Sequence, residues 1–162
     1  MHDVLIIGAG PVGLACAIEA KREGLDACVI EKGALVNSLV GYPANMEFFS
    51  TPELIEIGGY PFPLQGYKPT REEAIEYYRS VAQREALDIR LYERVLELRG
   101  SRGDFTVVTT RDAHAARHVV VSSGFFDQPN LMKVPGENLP KVTHYYREPF
   151  AYVRQKVAVI GA

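Results

Sequence analysis

Three glycines near the start of the sequence, Gly8, Gly10 and Gly13, lie in the order G-x-G-x-x-G within the stretch GAGPVG. The apolar run from Val4 to Ile7 before them is typical of a buried strand, and the residues after them have helical spacing, with Gly24 as the predicted C-terminal stop of the helix. Gly8 permits a tight turn, Gly10 lets the backbone approach a pyrophosphate, and Gly13 lets the helix pack closely on the strand. The free N–H groups at the start of such a helix attract phosphates. The stretch therefore predicts a dinucleotide site.

An acidic residue, Glu31, follows the second predicted strand, Ala27 to Ile30. A carboxylate at this place accepts hydrogen bonds from a ribose diol and repels a 2′-phosphate, which favours FAD or NAD over NADP. Strand, glycine turn, helix, strand and acid together give the context that a dinucleotide fingerprint requires. A glycine-rich turn in an ordinary α/β protein is the alternative, and the complete unit favours the dinucleotide site over it.

A second stretch of small residues, Ser122, Ser123 and Gly124, follows the strand predicted over residues 119–121. It brings small side chains and free backbone donors to the sheet edge where the first glycine turn also lies. A plain turn is the alternative. We expect this stretch to approach the same ligand as the first glycine turn.

Length and composition narrow the class of protein. The chain has 162 residues, a formal net charge of -2, 47% hydrophobic residues and 23% charged residues. This balance argues against disorder and against general binding to nucleic acid. The run VLIIGAG is too short for a membrane span and has no signal-peptide flanks, so we expect a cytoplasmic protein without a membrane partner. The spacing of Cys16 and Cys28 predicts two ordinary buried thiols and no metal site.

A long stretch between residues 34 and 69 is rich in proline and aromatic residues. Loops of this length are usually functional or disordered, and the apolar content of this one argues against disorder. We predict an ordered cover that packs on the core or on the flat ring of a ligand. The aromatic residues concerned are Tyr42, Phe48, Phe49, Tyr60, Phe62 and Tyr67.

The following part of the sequence predicts one helix and an antiparallel meander. Thr70 and Glu73 form a capping box that starts a helix running to about Ala86, with Tyr77 on its flank. After the helix, LDIRLYERVLELRG is predicted as strand, SRGD as turn, DFTVVTT as strand, RDAHAA as turn and RHVVV as strand. The predicted fold class is therefore α/β, with a parallel sheet and an inserted antiparallel β-meander.

Several of these segments in combination resemble a known superfamily. GAGPVG, IEKG, the YPFP stretch, VVVSSG, QPN with VPG and the terminal VAVIGA are similar to motifs of the two-dinucleotide flavoproteins, which include thioredoxin reductases and flavin monooxygenases. EKGALVNSLVGYP, MEFFSTPELIEIGG and LPKVTHYYREP resemble segments of the bacillithiol disulfide reductases. The resemblance covers nearly the whole chain and implies a Rossmann-like FAD/NAD(P)-binding fold. Where the family commonly has Ala-Thr-Gly, this chain has Ser122, Ser123 and Gly124.

The resemblance implies FAD as the first cofactor and NADPH as the second, with no catalytic residue assigned. It also implies a set of FAD-binding residues. These are Gly8, Gly10, Pro11, Val12, Gly13, Glu31, Lys32, Asn37, Ser38, Phe49, Val95, Ser122, Ser123 and Gly124.

Domain boundaries follow from the same resemblance. Residues 1–142 are expected to form the N-terminal part of an FAD-binding domain and residues 143–155 a linker. Residues 156–162 are expected to be the first strand of a truncated NADPH-binding domain. We therefore expect the N-terminal half of a longer enzyme, inactive by itself.

The function implied is FAD-dependent, NADPH-using oxidoreduction of a small-molecule or disulfide acceptor such as bacillithiol disulfide, with a homodimer as the family's assembly. Thioredoxin reductases carry a C-x-x-C pair before the second glycine motif, whereas THYYREPF here has no cysteine. Thioredoxin reduction by that route is therefore not expected. A flavin-dependent monooxygenase and a non-catalytic dinucleotide-binding module are the alternatives.

Three residues bear on the mechanism. Members of the resembled family can have a cysteine at the position of Val12, and Cys16 lies one helical turn later. We expect the Cys16 thiol to point along the helix rather than toward the flavin. His144 lies in the linker and is predicted either to couple the two nucleotide domains or, preferably, to face solvent.

Overall fold

The computed structural model describes residues 1–64 and 66–161. Its strands are β1 (His2–Ile7), β2 (Ala27–Ile30), β3 (Asp88–Arg90), β4 (Val95–Ser101), β5 (Asp104–Thr109) and β6 (Ala113–Val121). Its α-helices are α1 (Pro11–Arg22), α2 (Asn37–Val40) and α3 (Arg71–Arg84), and single 3-10 turns cover Pro52–Leu54 and Phe150–Tyr152.

The strands form one six-stranded mixed sheet in the order β3-β2-β1-β6-β5-β4. β1 pairs in parallel with both β2 and β6, and β2 pairs in parallel with β3. β4, β5 and β6 are antiparallel neighbours. The predicted α/β class is confirmed, and the meander continues the parallel sheet through β6.

Helix α1 ends as the sequence predicts. Gly24 has a φ of 74°, a conformation that glycine adopts without a Cβ penalty. The N–H of Gly24 bonds to Lys21 O, and the N–H of Leu25 bonds to Ala20 O, which is the Schellman pattern. The helix packs Leu14, Ala17 and Ile18 into the core.

Helix α3 begins with the predicted capping box, in which the Thr70 side chain accepts from the N–H of Glu73 and the Glu73 side chain accepts from the N–H of Thr70. The prediction for Tyr77 is wrong, because this residue is buried. Its ring stacks on Phe62 at a centroid distance of 4.3 Å, and its hydroxyl bonds to backbone atoms of the loop before α3. Tyr77 thus joins the loop to the core.

Two strand boundaries differ from the sequence prediction. The segment predicted as one strand from Leu87 splits, since β3 pairs with β2 while β4 belongs to the antiparallel part. Between them the backbone of Tyr92 and Glu93 bonds to Gly33 O and Glu31 O, which bends the chain away from β3. The turn predicted over residues 111–116 is shorter, because β6 already begins at Ala113 and buries Ala116.

The last part of the chain is mostly exposed. The structure has no strand in residues 156–161, where Val159 is 88% and Ile160 72% exposed; Ala162 lies outside the described residues. A strand forms by pairing, and no strand among the described residues pairs with this segment. The predicted boundary at residue 156, between the linker and the NADPH-binding domain, therefore stays a prediction.

Candidate cofactor site

The three glycines between β1 and α1 have different surroundings. Gly8 has a φ of 108°, and a Cβ there would lie 2.5 Å from the Ser122 backbone oxygen. A Cβ on Gly13 would lie 1.9 Å from the Gly8 oxygen. At Gly10 nothing lies within 4 Å of such an atom. Gly8 and Gly13 therefore allow backbones to pack together, while Gly10 leaves space for a ligand.

The start of helix α1 is open to an anion. Gly10 is the N-cap residue and offers no side-chain acceptor, and Pro11 occupies the first turn. No acidic side chain lies in that turn. Free N–H groups and the helix dipole favour negative charge at this position.

The Glu31 carboxylate is buried and oriented by the backbone, with the residue only 6% exposed. Its Oε2 accepts from the N–H of Ala9 at 2.9 Å and its Oε1 from the N–H of Gly33 at 2.9 Å. A carboxylate has about four acceptor positions, so both oxygens keep capacity for hydroxyl donors. Glu31 lines two cavities, which is suited to a ligand that passes from one to the other.

The larger cavity has a volume of about 620 Å³ and the smaller one about 200 Å³. The larger volume falls within the range of small-molecule sites. Glu31, Lys32 and Ser123 line both cavities. The two cavities therefore adjoin at the end of β1, beside the glycine turn.

Most of the predicted site residues line the larger cavity: Gly10, Pro11, Val12, Glu31, Lys32, Asn37, Ser38, Ser122, Ser123 and Gly124. Gly8 and Val95 line the smaller cavity. Gly13 lines neither, because it packs against the turn. Phe49 also lines neither and is 93% exposed, whereas the adjacent Phe48 lines the larger cavity.

The predicted aromatic cover is confirmed for Tyr42, Phe48, Tyr60 and Phe62, which pack in the core, and is wrong for Phe49 and Tyr67, which are exposed.

Cys16 is half-buried rather than buried as predicted, and it lines the larger cavity. The expectation that its thiol points along the helix stays a prediction. Residues four apart lie on one face of a helix, so Cys16 shares the cavity face with Val12. That spacing was the sequence signal for its position. Cys28 is buried as predicted, and burial raises the pKa of its thiol to about 12.

Two carboxylates that sequence reasoning missed also border the cavities. Asp127 forms an ion pair with Lys32 beside the larger cavity. Glu93 lines the smaller cavity, and its Oε1 accepts from Thr109 Oγ1 at 2.6 Å and contacts His114 Nε2 at 2.7 Å. Burial alone would raise the pKa of Glu93, but its hydrogen bonds to Thr109 and His114 hold that pKa below its ordinary value. Neither carboxylate lies in a recognisable motif.

The remaining candidates are outside the cavities. His144 is exposed, as preferred at the sequence level, and its Nε2 lies 3.8 Å from Glu137 Oε1. Within residues 1–64 and 66–161, no group of three or more His, Cys, Asp or Glu is arranged to hold a metal ion. None of the helices in this described part combines the length and apolar character needed to cross a bilayer.

The sequence of this chain is similar to that of known oxidoreductases. The sequence profile of pyridine nucleotide-disulphide oxidoreductases matches residues 5–162. Bacilliredoxin reductase Bdr of Bacillus subtilis is 41% identical over 161 residues, which are 99% of this chain and 50% of that protein.

Solved structures of other proteins are also similar to this chain. Bacillithiol disulfide reductase Bdr from Staphylococcus aureus has a TM-score of 0.91 at 40% identity, over 93% of this chain and 47% of that one. A flavin-containing monooxygenase from Stenotrophomonas maltophilia has a TM-score of 0.69 at 26% identity, over 76% of this chain and 38% of that one. The chain spans about half the length of the curated relatives that it matches, although nearly all of the chain itself is aligned.

Proposed function

Because this chain belongs to the pyridine nucleotide-disulphide oxidoreductases, we propose that its adjoining cavities bind FAD and that it serves as the FAD-binding part of an NADPH-using oxidoreductase. Residues 1–142 form the main part of that domain in this proposal, residues 143–155 the linker, and residues 156–162 the start of the NADPH-binding domain. The enzyme is proposed to act in the cytoplasm.

The observation that carries the proposal is the open space at Gly10 in the larger cavity, which shares Glu31, Lys32 and Ser123 with the smaller one. A pyrophosphate needs a close approach to backbone N–H groups, and the start of α1 offers both the N–H groups and the space. These residues fit FAD, since a dinucleotide has two ends joined by a diphosphate.

The two ends of the ligand have different requirements. The adenosine end suits the smaller cavity, which Glu31 and Val95 line; the Glu31 carboxylate would hold the ribose there by accepting from its hydroxyls. The ring end suits the larger cavity, whose walls include Tyr42, Phe48 and Ile57. When bound, FAD supplies the electron and hydride transfer of the family's chemistry.

The part of the chain described here binds, orients and shields. Glu31 is held by two backbone N–H groups, so its carboxylate is oriented before any ligand arrives. Apolar side chains of the loop before α3, among them Leu54, Ile55 and Ile57, line the larger cavity. Such a fixed environment lowers the cost of ordering a bound ring.

We propose a low-molecular-weight disulfide, such as bacillithiol disulfide, as the electron acceptor, and a homodimer as the assembly. Support comes from the 41% identity to bacilliredoxin reductase Bdr and the TM-score of 0.91 to bacillithiol disulfide reductase Bdr. Cys16 is the thiol at the larger cavity, although the described residues contain no C-x-x-C pair.

A flavin-dependent monooxygenase is the second candidate, supported by the TM-score of 0.69 to a flavin-containing monooxygenase. The two functions differ in the fate of the electrons that NADPH provides. A longer chain that contains both nucleotide sites would oxidise NADPH with a disulfide in one case and with oxygen insertion into a substrate in the other. A dinucleotide-binding module without catalysis would do neither.

The first experiment is the visible absorption spectrum of the purified chain, with identification of the cofactor released by acid. We expect flavin absorption and released FAD, or uptake of added FAD by a colourless preparation. Gly10→Ala should weaken FAD binding at least about tenfold, because a methyl group enters the space needed by the pyrophosphate. Gly66→Ala is the matched control, since Gly66 also has open space and lies outside both cavities. Failure of the wild-type chain to bind FAD under all conditions would contradict the proposal.

A further inference from the structure

Two side chains from opposite sides of β1 meet at its carboxyl end. Lys32 follows β2 and Asp127 follows β6, and these two strands flank β1 in the sheet. Lys32 Nζ donates to Asp127 Oδ2, and both residues line the larger cavity together with Gly10. The ion pair thus joins segments that follow the two strands flanking β1, and it lines the cavity in which the pyrophosphate is proposed to bind.

The charge balance around this pair is unfavourable for a diphosphate. Among the described residues that line the larger cavity, Lys32 is the sole basic side chain, whereas Glu31, Glu56 and Asp127 are acidic. Glu31 is engaged by the N–H groups of Ala9 and Gly33, and Glu56 accepts from the N–H of Phe62. Asp127 instead forms an ion pair with Lys32, which is the one basic side chain among these lining residues.

The ion pair can exchange partners at low cost. The Lys32 side chain is 33% exposed and that of Asp127 40% exposed. Ion pairs at such exposure contribute little to stability, whereas a lysine ammonium and a phosphate form a strong charge-assisted contact. A diphosphate beside the turn would therefore compete with the Asp127 carboxylate for Lys32.

We propose that Asp127 is a built-in competitor of the cofactor's diphosphate, and that Lys32 exchanges Asp127 for the diphosphate when the cofactor binds. This inference rests on the proposed function and adds to it a residue that tunes affinity. Asp127 weakens binding in two ways, because it engages Lys32 and because its own negative charge repels phosphate. Neutralising Asp127 should therefore tighten binding, and part of that gain should require Lys32.

The test measures binding of ADP and of adenosine to the flavin-free chain by titration calorimetry. These probes differ only in the diphosphate. Asp127→Asn should bind ADP about threefold to tenfold more tightly than the wild type while its adenosine affinity stays unchanged. Higher salt should reduce the gain, because screening weakens exposed charges.

A double-mutant cycle separates the two effects. Lys32→Met should weaken ADP binding, and in that background Asp127→Asn should give a smaller gain, because only the repulsion remains to be removed. Asp104→Asn is the matched charge control, since Asp104 lies in the hairpin outside both cavities and should leave ADP binding unchanged.

The outcomes separate this inference from the function on which it rests. Binding of ADP that is unchanged or weakened by Asp127→Asn would overturn the competitor role and leave the FAD site intact; weakening would mean that Asp127 positions Lys32 for the phosphate. Equal gains for ADP and adenosine would also overturn it, as would an equal gain for Asp104→Asn. Absence of both ADP and FAD binding by the wild-type chain would overturn the proposed function and this inference together.

Discussion

Two apolar runs in this chain lead into a glycine with positive φ, and their surroundings differ completely. Val4 to Ile7 runs into Gly8, with a φ of 108°, and Val157 to Ile160 runs into Gly161, with a φ of 86°. In the first run Leu5 and Ile6 are fully buried between β2 and β6. In the second run Val159 is largely exposed.

The difference shows that an apolar run alone does not form a strand. The first run has neighbours on both edges, and helix α1 packs on one of its faces. The second run has no pairing partner among the described residues. Backbone hydrogen bonds of a strand are made with another strand, so the same local pattern gives a core strand in one place and an exposed segment in the other.

The largest expected effect concerns the glycine turn after the first run, where backbone segments pack closely together. Gly13→Ala should lower the free energy of unfolding by about 4 kcal/mol or more, because its Cβ would meet the Gly8 backbone oxygen, which cannot rotate away. Urea unfolding followed by circular dichroism measures this change. Gly10→Ala, with open space at the same substitution, should cost less than about 1 kcal/mol. Equal losses for the two variants would contradict the packing described for Gly13.

The two runs can be compared directly by truncation. Leu5→Ala should lower the free energy of unfolding by about 2–5 kcal/mol, because it leaves a cavity in a closed core. Val159→Ala should change it by no more than about 0.5 kcal/mol, since the side chain is exposed. Both values come from chemical denaturation of the same chain. A loss for Val159→Ala similar to that for Leu5→Ala would mean that the second run is packed in solution.

The contribution of Glu93 to stability at low pH should differ from that of Glu137, which lies in the last part of the chain. The pKa of Glu93 is held below its ordinary value, so its stabilising contribution is present above the unfolded pKa of about 4.3 and is lost as pH falls through the folded pKa. Glu93→Gln should cost about 1–3 kcal/mol at neutral pH, through loss of charge-assisted bonds to Thr109 and His114. The difference from wild type should shrink as the pH is lowered below 4.

The matched variant is Glu137→Gln. The N–H groups of Met132 and Lys133 donate to this carboxylate and lower its pKa. Its side chain is only 10% exposed, but the segment around it is largely exposed. We expect a smaller loss of stability than for Glu93→Gln at every pH tested by urea unfolding. A difference between Glu93→Gln and wild type that is independent of pH would show that the charge of Glu93 contributes nothing.

The smallest expected effect compares two tyrosine hydroxyls. Tyr77→Phe should lower the free energy of unfolding by about 1 kcal/mol, because the buried hydroxyl donates to Tyr60 O at 2.7 Å and accepts from the N–H of Ile57. Tyr145→Phe removes one bond, to Phe126 O at 2.9 Å, in a less buried place and should cost less. Thermal unfolding of both variants provides the measurement. A larger loss for Tyr145→Phe would indicate that the last part of the chain is packed more firmly than its exposure implies.

The site was predictable from the sequence where the chemistry is local. Gly8, Gly10, Gly13 and Glu31 are fixed by the backbone geometry of one βαβ unit, so their order along the chain was sufficient to predict the turn and the position of Glu31 at the end of β2. Local hydrogen bonds likewise made the capping box of α3 and the end of α1 predictable.

Contacts between distant segments were not predictable in the same way. Which of Phe48 and Phe49 lines the cavity depends on how the loop over residues 34–69 packs on α1 and α3, and no periodicity in that loop specifies it. Asp127 meets Lys32 only because β2 and β6 are neighbours of β1. The burial of Tyr77 depends in the same way on the loop that stacks against it.

The sequence by itself determined the α/β class, the glycine turn, the buried character of the first apolar run and the acid at the end of β2. These depend on residue types at short spacing, where sterics and local hydrogen bonds act. Only the tertiary structure decided the partners of Lys32 and Glu93 and the exposure of Val159. The physical reason is that burial, pairing and charge contacts arise between segments far apart in the chain, and their geometry exists only after the sheet has assembled.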